Sequence, residues 1–132
     1  IPFKKNLFDC VNLSHMLEHS EKPLQILSEI YRLLKPEGLL VVTLPNYKGL
    51  IPRLRPISWQ GWVPQEHVWH FSPQTLSDLL ERMGFKVIEL KLTAMCTPII
   101  NNRVKRIVYH ILNWLGEKCG MGDNVWVTAK KQ

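Results

Sequence analysis

The sequence predicts an α/β fold in which short strands alternate with helices. An apolar run at residues 8–13 predicts the first strand. Apolar residues with helical spacing at 23–34 predict a helix, and a run rich in β-branched residues at 39–44 predicts a second strand. Polar residues follow the first apolar run directly. Open α/β sheets bind ligands at this position, beyond the carboxyl ends of their strands. This alternation is typical of a sheet covered by helices.

Composition predicts one globular domain over residues 1–132, with 45% of residues hydrophobic and 21% charged. No apolar run approaches the roughly 18 residues that a membrane span requires, and the N-terminus lacks the pattern of a secretory signal. We therefore expect a cytoplasmic protein. Cys10, Cys96 and Cys119 lie far apart without C-x-x-C spacing, so we predict three reduced thiols.

The first strand, helix and second strand have clear boundaries. Pro23 suits the first turn of a helix, and Lys-Pro-Glu-Gly at 35–38 is a turn sequence that ends it. The second strand stops at Pro45. Because a βαβ unit joins neighbouring parallel strands, Ser14 and Pro45 should emerge at the same edge of the sheet.

Residues 47–71 form a long stretch without strand or helix periodicity. The stretch is rich in tryptophan, histidine and proline, whereas disordered chains are poor in aromatic residues. We expect an ordered, lid-like cap over the crevice. Trp59, Trp62 and Trp69 suit stacking on a planar acceptor, although the commoner role of such residues is to form the small core of a cap.

The C-terminal half begins with Ser72 as the N-cap of a helix that ends at Gly84. A loosely alternating strand at 85–92 should lie near the sheet edge, and residues 125–129 supply a closing strand. Gly116, Gly120 and Gly122 are predicted to break the chain before it.

An additional amphipathic helix is predicted within residues 99–118. Its apolar stripe comprises Val104, Ile107, Val108, Ile111, Leu112 and Leu115, and its other side carries Arg103, Lys105, Arg106 and His110. A basic amphipathic helix can lie on a membrane surface or dock a partner. Core packing of the stripe is commoner, and it is our prediction.

The chain has a net charge of +6, and its basic residues cluster at 103–106 and 48–55. Such clusters fit an anionic substrate, nucleic acid or a membrane surface, but most are solvated. We expect no nucleic-acid partner, and membrane-surface contact is the minor alternative.

Three segments, in this order, resemble the second half of class I S-adenosylmethionine-dependent methyltransferases. They are IPF with FDCV and SHMLEH at residues 1–19, LLKPEGLLVVTLPN at 33–46 and HVWHFSPQTLSDLLERMGF at 67–85. The subgroup they resemble is that of small-molecule methyltransferases typified by quinone-biosynthesis enzymes. That family has sheet order 3-2-1-4-5-7-6, so the resemblance implies a partial Rossmann-like sheet made of strands 4, 5, 6 and 7.

The family binds S-adenosylmethionine with a glycine-rich loop and an acidic residue after its first two strands. Neither precedes Phe8 here, and Gly-Met-Gly at 120–122 lacks a preceding strand. We expect the C-terminal half of a methyltransferase domain, as a truncation, one part of a split enzyme or a remnant. Two functions fit: methyl transfer to a small-molecule acceptor, or a non-catalytic binding or dimerisation module.

The strand at 8–13 is central in the family's sheet but would be an open edge here. Uncovered apolar edges invite pairing with another chain. We therefore predict a homodimer, or a partner polypeptide, at this edge.

By the same resemblance, Ser14, His15 and Leu17 lie where family members contact the methionine end of the cofactor or the acceptor. His15 and His19 are the candidates for proton transfer, since histidine titrates near neutral pH. The alternative is that Glu18 and His19 only brace the loop.

The remaining candidates would line the acceptor pocket or pin the lid: Asn46, Trp59, Trp62, His67 and His70. His67 and His70 lie three residues apart beside Glu66, but zinc sites need three or four ligands and no further ligand lies close in sequence. No metal site is predicted.

Overall fold

The computed structural model describes residues 2–57, 59–95 and 100–132. Its elements in chain order are β1 (Phe8–Ser14), a 3-10 turn (Leu17–His19), α1 (Pro23–Leu33), β2 (Leu34–Pro45), α2 (Leu50–Leu54), α3 (Pro73–Arg82), β3 (Phe85–Thr93), α4 (Arg103–Lys118) and β4 (Asn124–Lys131). Within these ranges no helix is both long and apolar enough to cross a membrane.

The four strands form one mixed sheet in the order β1-β2-β4-β3. β1 and β2 are parallel, and β4 is antiparallel to both of its neighbours. This is the order 4-5-7-6 implied by the resemblance, so the predicted fold is confirmed. Ser14 pairs with Thr43, which brings the carboxyl ends of β1 and β2 together as expected.

Helices α1 and α3 cover one face of this sheet. The side chains that point to them alternate along β2 and β4, as strand geometry requires, and are fully buried: Leu40, Val42, Leu44, Val125, Val127 and Ala129. Leu27 and Ile30 of α1 and Leu80 of α3 complete the core. The opposite face is less covered, and Trp126 is 41% exposed there.

Local signals place α3 where the sequence predicts it. The Ser72 side chain accepts the N–H of Thr75 at 3.2 Å, and the Thr75 hydroxyl accepts the N–H of Ser72 at 2.9 Å. This reciprocal capping fixes the first turn. Beyond α3, Gly84 has φ of +87°, a conformation that glycine adopts without steric cost.

Two boundaries differ from prediction. β2 already begins at Leu34, and residues 35–38 form an irregularity in its pairing with β1, with Glu37 at φ of +67°. The turn sequence is therefore absorbed as a bulge inside a longer strand. The stretch at 47–71 contains α2, a helix too short for periodicity to reveal.

The prediction that α4 buries its apolar stripe is wrong. Val104, Ile107, Val108, Ile111 and Leu115 are 38–69% exposed. The buried positions of α4 are instead Asn113 and Gly116.

Gly116 does not break the chain, because α4 continues to Lys118. A Cβ at Gly116 would stand 3.4 Å from the Leu50 side chain and 3.0 Å from the Met121 carbonyl. The glycine thus permits close approach of α4 to α2. On α4, a residue without a side chain is buried, whereas the larger apolar residues of the stripe stay exposed.

The predicted thiols are free at Cys10 and Cys119. Cys96 lies outside the described residues, as does Ile99 at the start of the predicted helix.

Candidate functional site

The loop after β1 holds the first group of predicted site residues. Ser14 is exposed at the strand end, and His15 follows with φ of +48°. The His15 N–H donates to the Thr43 carbonyl of β2 at 2.9 Å. This hydrogen bond fixes the residue with positive φ to the sheet. Leu17 is 1% exposed and packs in the core, where it anchors the turn from inside.

His15 and Glu18 form an oriented pair within this loop. Nδ1 of His15 donates to Oε1 of Glu18 at 3.2 Å, and the Glu18 side chain is 1% exposed. With Glu18 as the acceptor in this hydrogen bond, the proton sits on Nδ1 and Nε2 keeps its lone pair. An imidazole held in this way can accept a proton from a bound molecule.

The segment 47–71, to which we give the name cap, is hydrogen-bonded to the turn after β1. The Trp69 N–H donates to the Glu18 carbonyl at 3.1 Å, and its indole N–H donates to the Ser20 carbonyl at 2.9 Å. Nδ1 of His19 donates to the Glu66 carbonyl at 3.0 Å. Three hydrogen bonds thus hold the cap beside the carboxyl end of β1.

Histidines and tryptophan from the cap gather above the turn. Nδ1 of His67 donates to the Gly61 carbonyl at 2.8 Å, and the His67 ring packs edge-on against His19 with centroids 4.6 Å apart. Trp62 lies against His70 at 4.8 Å between centroids. Burial lowers the pKa of His70, and the neighbouring His67 lowers it further. His70 is therefore held toward its neutral form.

Asn46 and Trp59 lie in the interior. The Asn46 amide donates to the Gly122 carbonyl at 2.7 Å and accepts the N–H of Lys48 at 3.0 Å. Trp59 is 3% exposed. Both side chains are buried, one directly before the segment 47–71 and one in its middle.

Sequence reasoning missed Asp123, whose side chain is buried and only 1% exposed. Its Oδ1 accepts the Met95 N–H at 2.8 Å, and burial raises the pKa of its carboxyl. Gly-Asp before a strand is an ordinary turn sequence, so nothing in the pattern marked this residue as buried.

The structure regroups the ligand-forming residues. Ligand atoms of Glu18, His19 and His67 all lie within 4.8 Å of one another. The sequence analysis predicted no metal site, and the residues it considered and rejected for one were Glu66, His67 and His70. Contact between the turn and the cap creates this cluster. Sequence spacing could not reveal it, because the two segments are nearly fifty residues apart.

A groove of about 690 Å³ lies between the start of α1, helix α3 and the end of the segment 47–71. Its walls are mainly apolar and include Pro23, Leu24, Trp69, Phe71 and Leu79. Trp69 therefore both fastens the cap and lines a surface on which an apolar molecule could rest.

Known proteins resemble this chain in sequence and structure. Residues 1–90 match the family model described as a methyltransferase domain. The ubiquinone/menaquinone biosynthesis C-methyltransferase UbiE of Blochmanniella pennsylvanica is 29% identical over 67% of this chain and 42% of its own length. The chain thus spans less than half the length of this curated relative.

Two solved structures have the same fold. A SAM-dependent methyltransferase from Archaeoglobus fulgidus superposes with a TM-score of 0.64 at 25% identity, over 97% of this chain and 61% of that protein. One from Thermotoga maritima superposes with a TM-score of 0.70 at 22% identity, over 100% and 60% of the two chains. With the family model matching more than half of its residues, the chain belongs to the methyltransferase domain family.

Proposed function

We propose that this chain carries the acceptor side of an S-adenosylmethionine-dependent methyltransferase that acts on a small molecule. Family membership supports this proposal, and the relatives that the chain resembles are methyltransferases. The single observation that carries it is the His15–Glu18 pair at the carboxyl end of β1. This edge of a sheet is where α/β proteins bind their ligands.

Ser14 and His15 are accessible at this edge and fit the methionine end of the cofactor. When bound, S-adenosylmethionine would supply a methyl group on a sulfonium, a group suited to direct displacement by the acceptor. His15 Nε2 takes the proton that the acceptor loses, and Glu18 stabilises the imidazolium that results. His19 is the second candidate base, since its Nδ1 is likewise fixed by a carbonyl.

Exposed rings of the cap would hold the acceptor against this base. Trp62 is 48% exposed and lies against His70, and His67 stands between His70 and His19. Among these rings, the half-exposed face of Trp62 is the one suited to stacking on a planar acceptor. Orientation of the acceptor would supply much of the acceleration, as in other displacement reactions.

The test is a titration of isotopically labelled protein with S-adenosylhomocysteine, followed by amide NMR. We expect the amide signals of Ser14 and His15 to shift while those of α4 stay in place. Absence of any shift at millimolar ligand, or shifts confined to other regions, would contradict the proposed cofactor position.

Proton transfer is tested with His15→Gln in an assay of S-adenosylhomocysteine release with a quinol acceptor. Loss of a general base should lower the rate by about 10²- to 10⁴-fold. His110→Gln, at an exposed position on α4, is the matched control. A His15→Gln protein as active as the control would remove His15 from the mechanism.

We further propose that β1 pairs with a second polypeptide, either another copy of the chain or a different segment. β1 hydrogen-bonds to β2 on one side only among the described strands. Beside it runs a groove of about 590 Å³ lined by apolar side chains that include Phe3, Phe8, Val11, Met16 and Ile26. An open edge next to an apolar groove suits strand addition.

Light scattering distinguishes the forms of this second proposal. A homodimer should dissociate in Val11→Lys, because a charge would be placed in the groove, but not in Ile57→Lys, whose position is 89% exposed. A stable monomer at micromolar concentration would contradict the homodimer.

A further inference from the structure

We propose that Glu18, His19 and His67 form a binding site for a divalent transition-metal ion, with zinc the best match. Nothing in the proposed methyl transfer requires this ion. The inference stands on the geometry of the turn and the cap. With the ion bound, Nε2 of His19 is a ligand, and His15 remains the base of the proposed methyl transfer.

Three ligand groups of the right kind converge at one place. Each residue offers one atom, and the three atoms lie within 4.8 Å of one another. The imidazoles of His19 and His67 pack at 74° with centroids 4.6 Å apart. Imidazole nitrogens and a carboxylate oxygen are ligands that zinc takes in proteins.

Both imidazoles are already oriented as metal ligands usually are. Nδ1 of His19 faces the Glu66 carbonyl at 3.0 Å, and Nδ1 of His67 faces the Gly61 carbonyl at 2.8 Å. A carbonyl only accepts hydrogen bonds, so each Nδ1 carries the proton and each Nε2 keeps a lone pair. Metal-ligating histidines commonly donate their second ring N–H to a backbone carbonyl in this manner.

Glu18 supplies an independent indication of a missing ligand. Its side chain is 1% exposed, and its Oε2 is buried without a hydrogen-bond partner among the described residues. Oε1 is occupied by His15. A buried carboxylate oxygen without a partner is unfavourable, and a cation between it and the two imidazoles would satisfy it.

The distances require a small closure. With bonds of about 2.0–2.1 Å, tetrahedral geometry separates zinc ligands by about 3.3 Å, compared with the 4.8 Å limit here. His19 is exposed, so its side chain can move inward without disturbing the core. Magnesium and calcium fit poorly, because they prefer sites made of oxygen ligands.

Binding of the ion would affect the structure, because its ligands come from two different segments. Glu18 and His19 lie in the turn after β1, whereas His67 lies in the cap. A bound ion would cross-link them and hold the cap in place over the crevice. The three residues leave a fourth coordination position for water or another small ligand.

The test is a titration of untagged, chelator-treated protein with Co²⁺ and Zn²⁺. Co²⁺ reports tetrahedral coordination by visible absorption, and calorimetry measures zinc affinity and stoichiometry. We expect one equivalent to bind. His19→Gln and His67→Gln should each weaken affinity by at least about tenfold, the scale on which even outer-sphere changes act.

His110→Gln on α4 is the matched control and should bind as the wild-type chain does. Zinc should also raise the melting temperature of the wild-type chain but not that of His19→Gln, whose exposed position makes misfolding a poor explanation for lost binding. Glu18→Gln is unsuitable as the main test because it also disturbs His15. The proposal is overturned if the folded wild-type chain does not bind zinc saturably, or if both histidine variants bind it undiminished.

Discussion

Helices α1 and α4 carry similar apolar stripes but are used in opposite ways. α1 buries Leu27, Ile30 and Leu33 against the sheet. α4 leaves Ile107 and Ile111 about half exposed and approaches α2 at Gly116. The same 3.6-residue pattern therefore indicates a helix in both cases without indicating which side faces the protein.

The difference lies in what stands opposite each helix. α1 meets a sheet face made of branched aliphatic side chains, which its own stripe complements. α4 lies close to Leu50 of α2 at Gly116, and Tyr109 on the same side meets Gln60 of the cap at 3.2 Å. Neighbours thus decide which face is buried.

The largest expected effect comes from Leu27→Ala in α1. Leu27 is completely buried, so its truncation should lower the free energy of unfolding by about 2–5 kcal/mol. Ile111→Ala removes the same number of carbon atoms from a position that is 51% exposed, and it should cost less than about 1 kcal/mol. Urea unfolding measures both. Equal losses would mean that the stripe of α4 is covered in solution.

An intermediate effect on stability is expected from substitutions at the N-caps of α4 and α1. The Asn102 side chain accepts the N–H of Lys105 at 3.0 Å, whereas Lys22 before α1 makes no side-chain cap. Asn102→Ala should therefore cost about 1 kcal/mol, and Lys22→Asp should stabilise the protein by up to about 1 kcal/mol. If Lys22→Asp has no effect in thermal unfolding, then packing alone sets the start of α1.

The smallest effect should come from the ion pair on α1. The hydrogen bond from Arg32 lowers the pKa of Glu29 to about 2. Because the folded-state pKa lies below its ordinary value of 4.5, the pair stabilises the fold above that pH and loses its contribution as pH falls toward 2.

Glu29→Gln should flatten this part of the pH dependence of unfolding. Glu117 of α4 instead accepts the N–H of Ala94 at 2.6 Å, so Glu117→Gln provides the comparison. An unchanged acid limb in Glu29→Gln would show that the pair does not influence stability.

Much of the fold follows from the sequence because its signals are local. Pro23, the Ser72 cap and Gly84 mark helix ends by their own stereochemistry. The β-branched run before Pro45 predicts a buried strand, and the position of β3 at the sheet edge follows from its loose alternation. Strand order came from the family resemblance, since no local signal encodes it.

The candidate site was only partly predictable. The loop after β1 could be identified because polar residues follow an apolar strand. The cluster of Glu18, His19 and His67 could not, since it depends on how the cap folds back. Burial of Asn46 and Asp123 was equally hidden, because both belong to turn sequences that are usually exposed.

Trp69 fastens the cap to the turn through the carbonyls of Glu18 and Ser20. Both acceptors are main-chain atoms, which every amino acid supplies. Substitution of the Glu18 or Ser20 side chain therefore leaves both of these hydrogen bonds in place. Residues at these two positions can change in evolution while Trp69 still holds the cap.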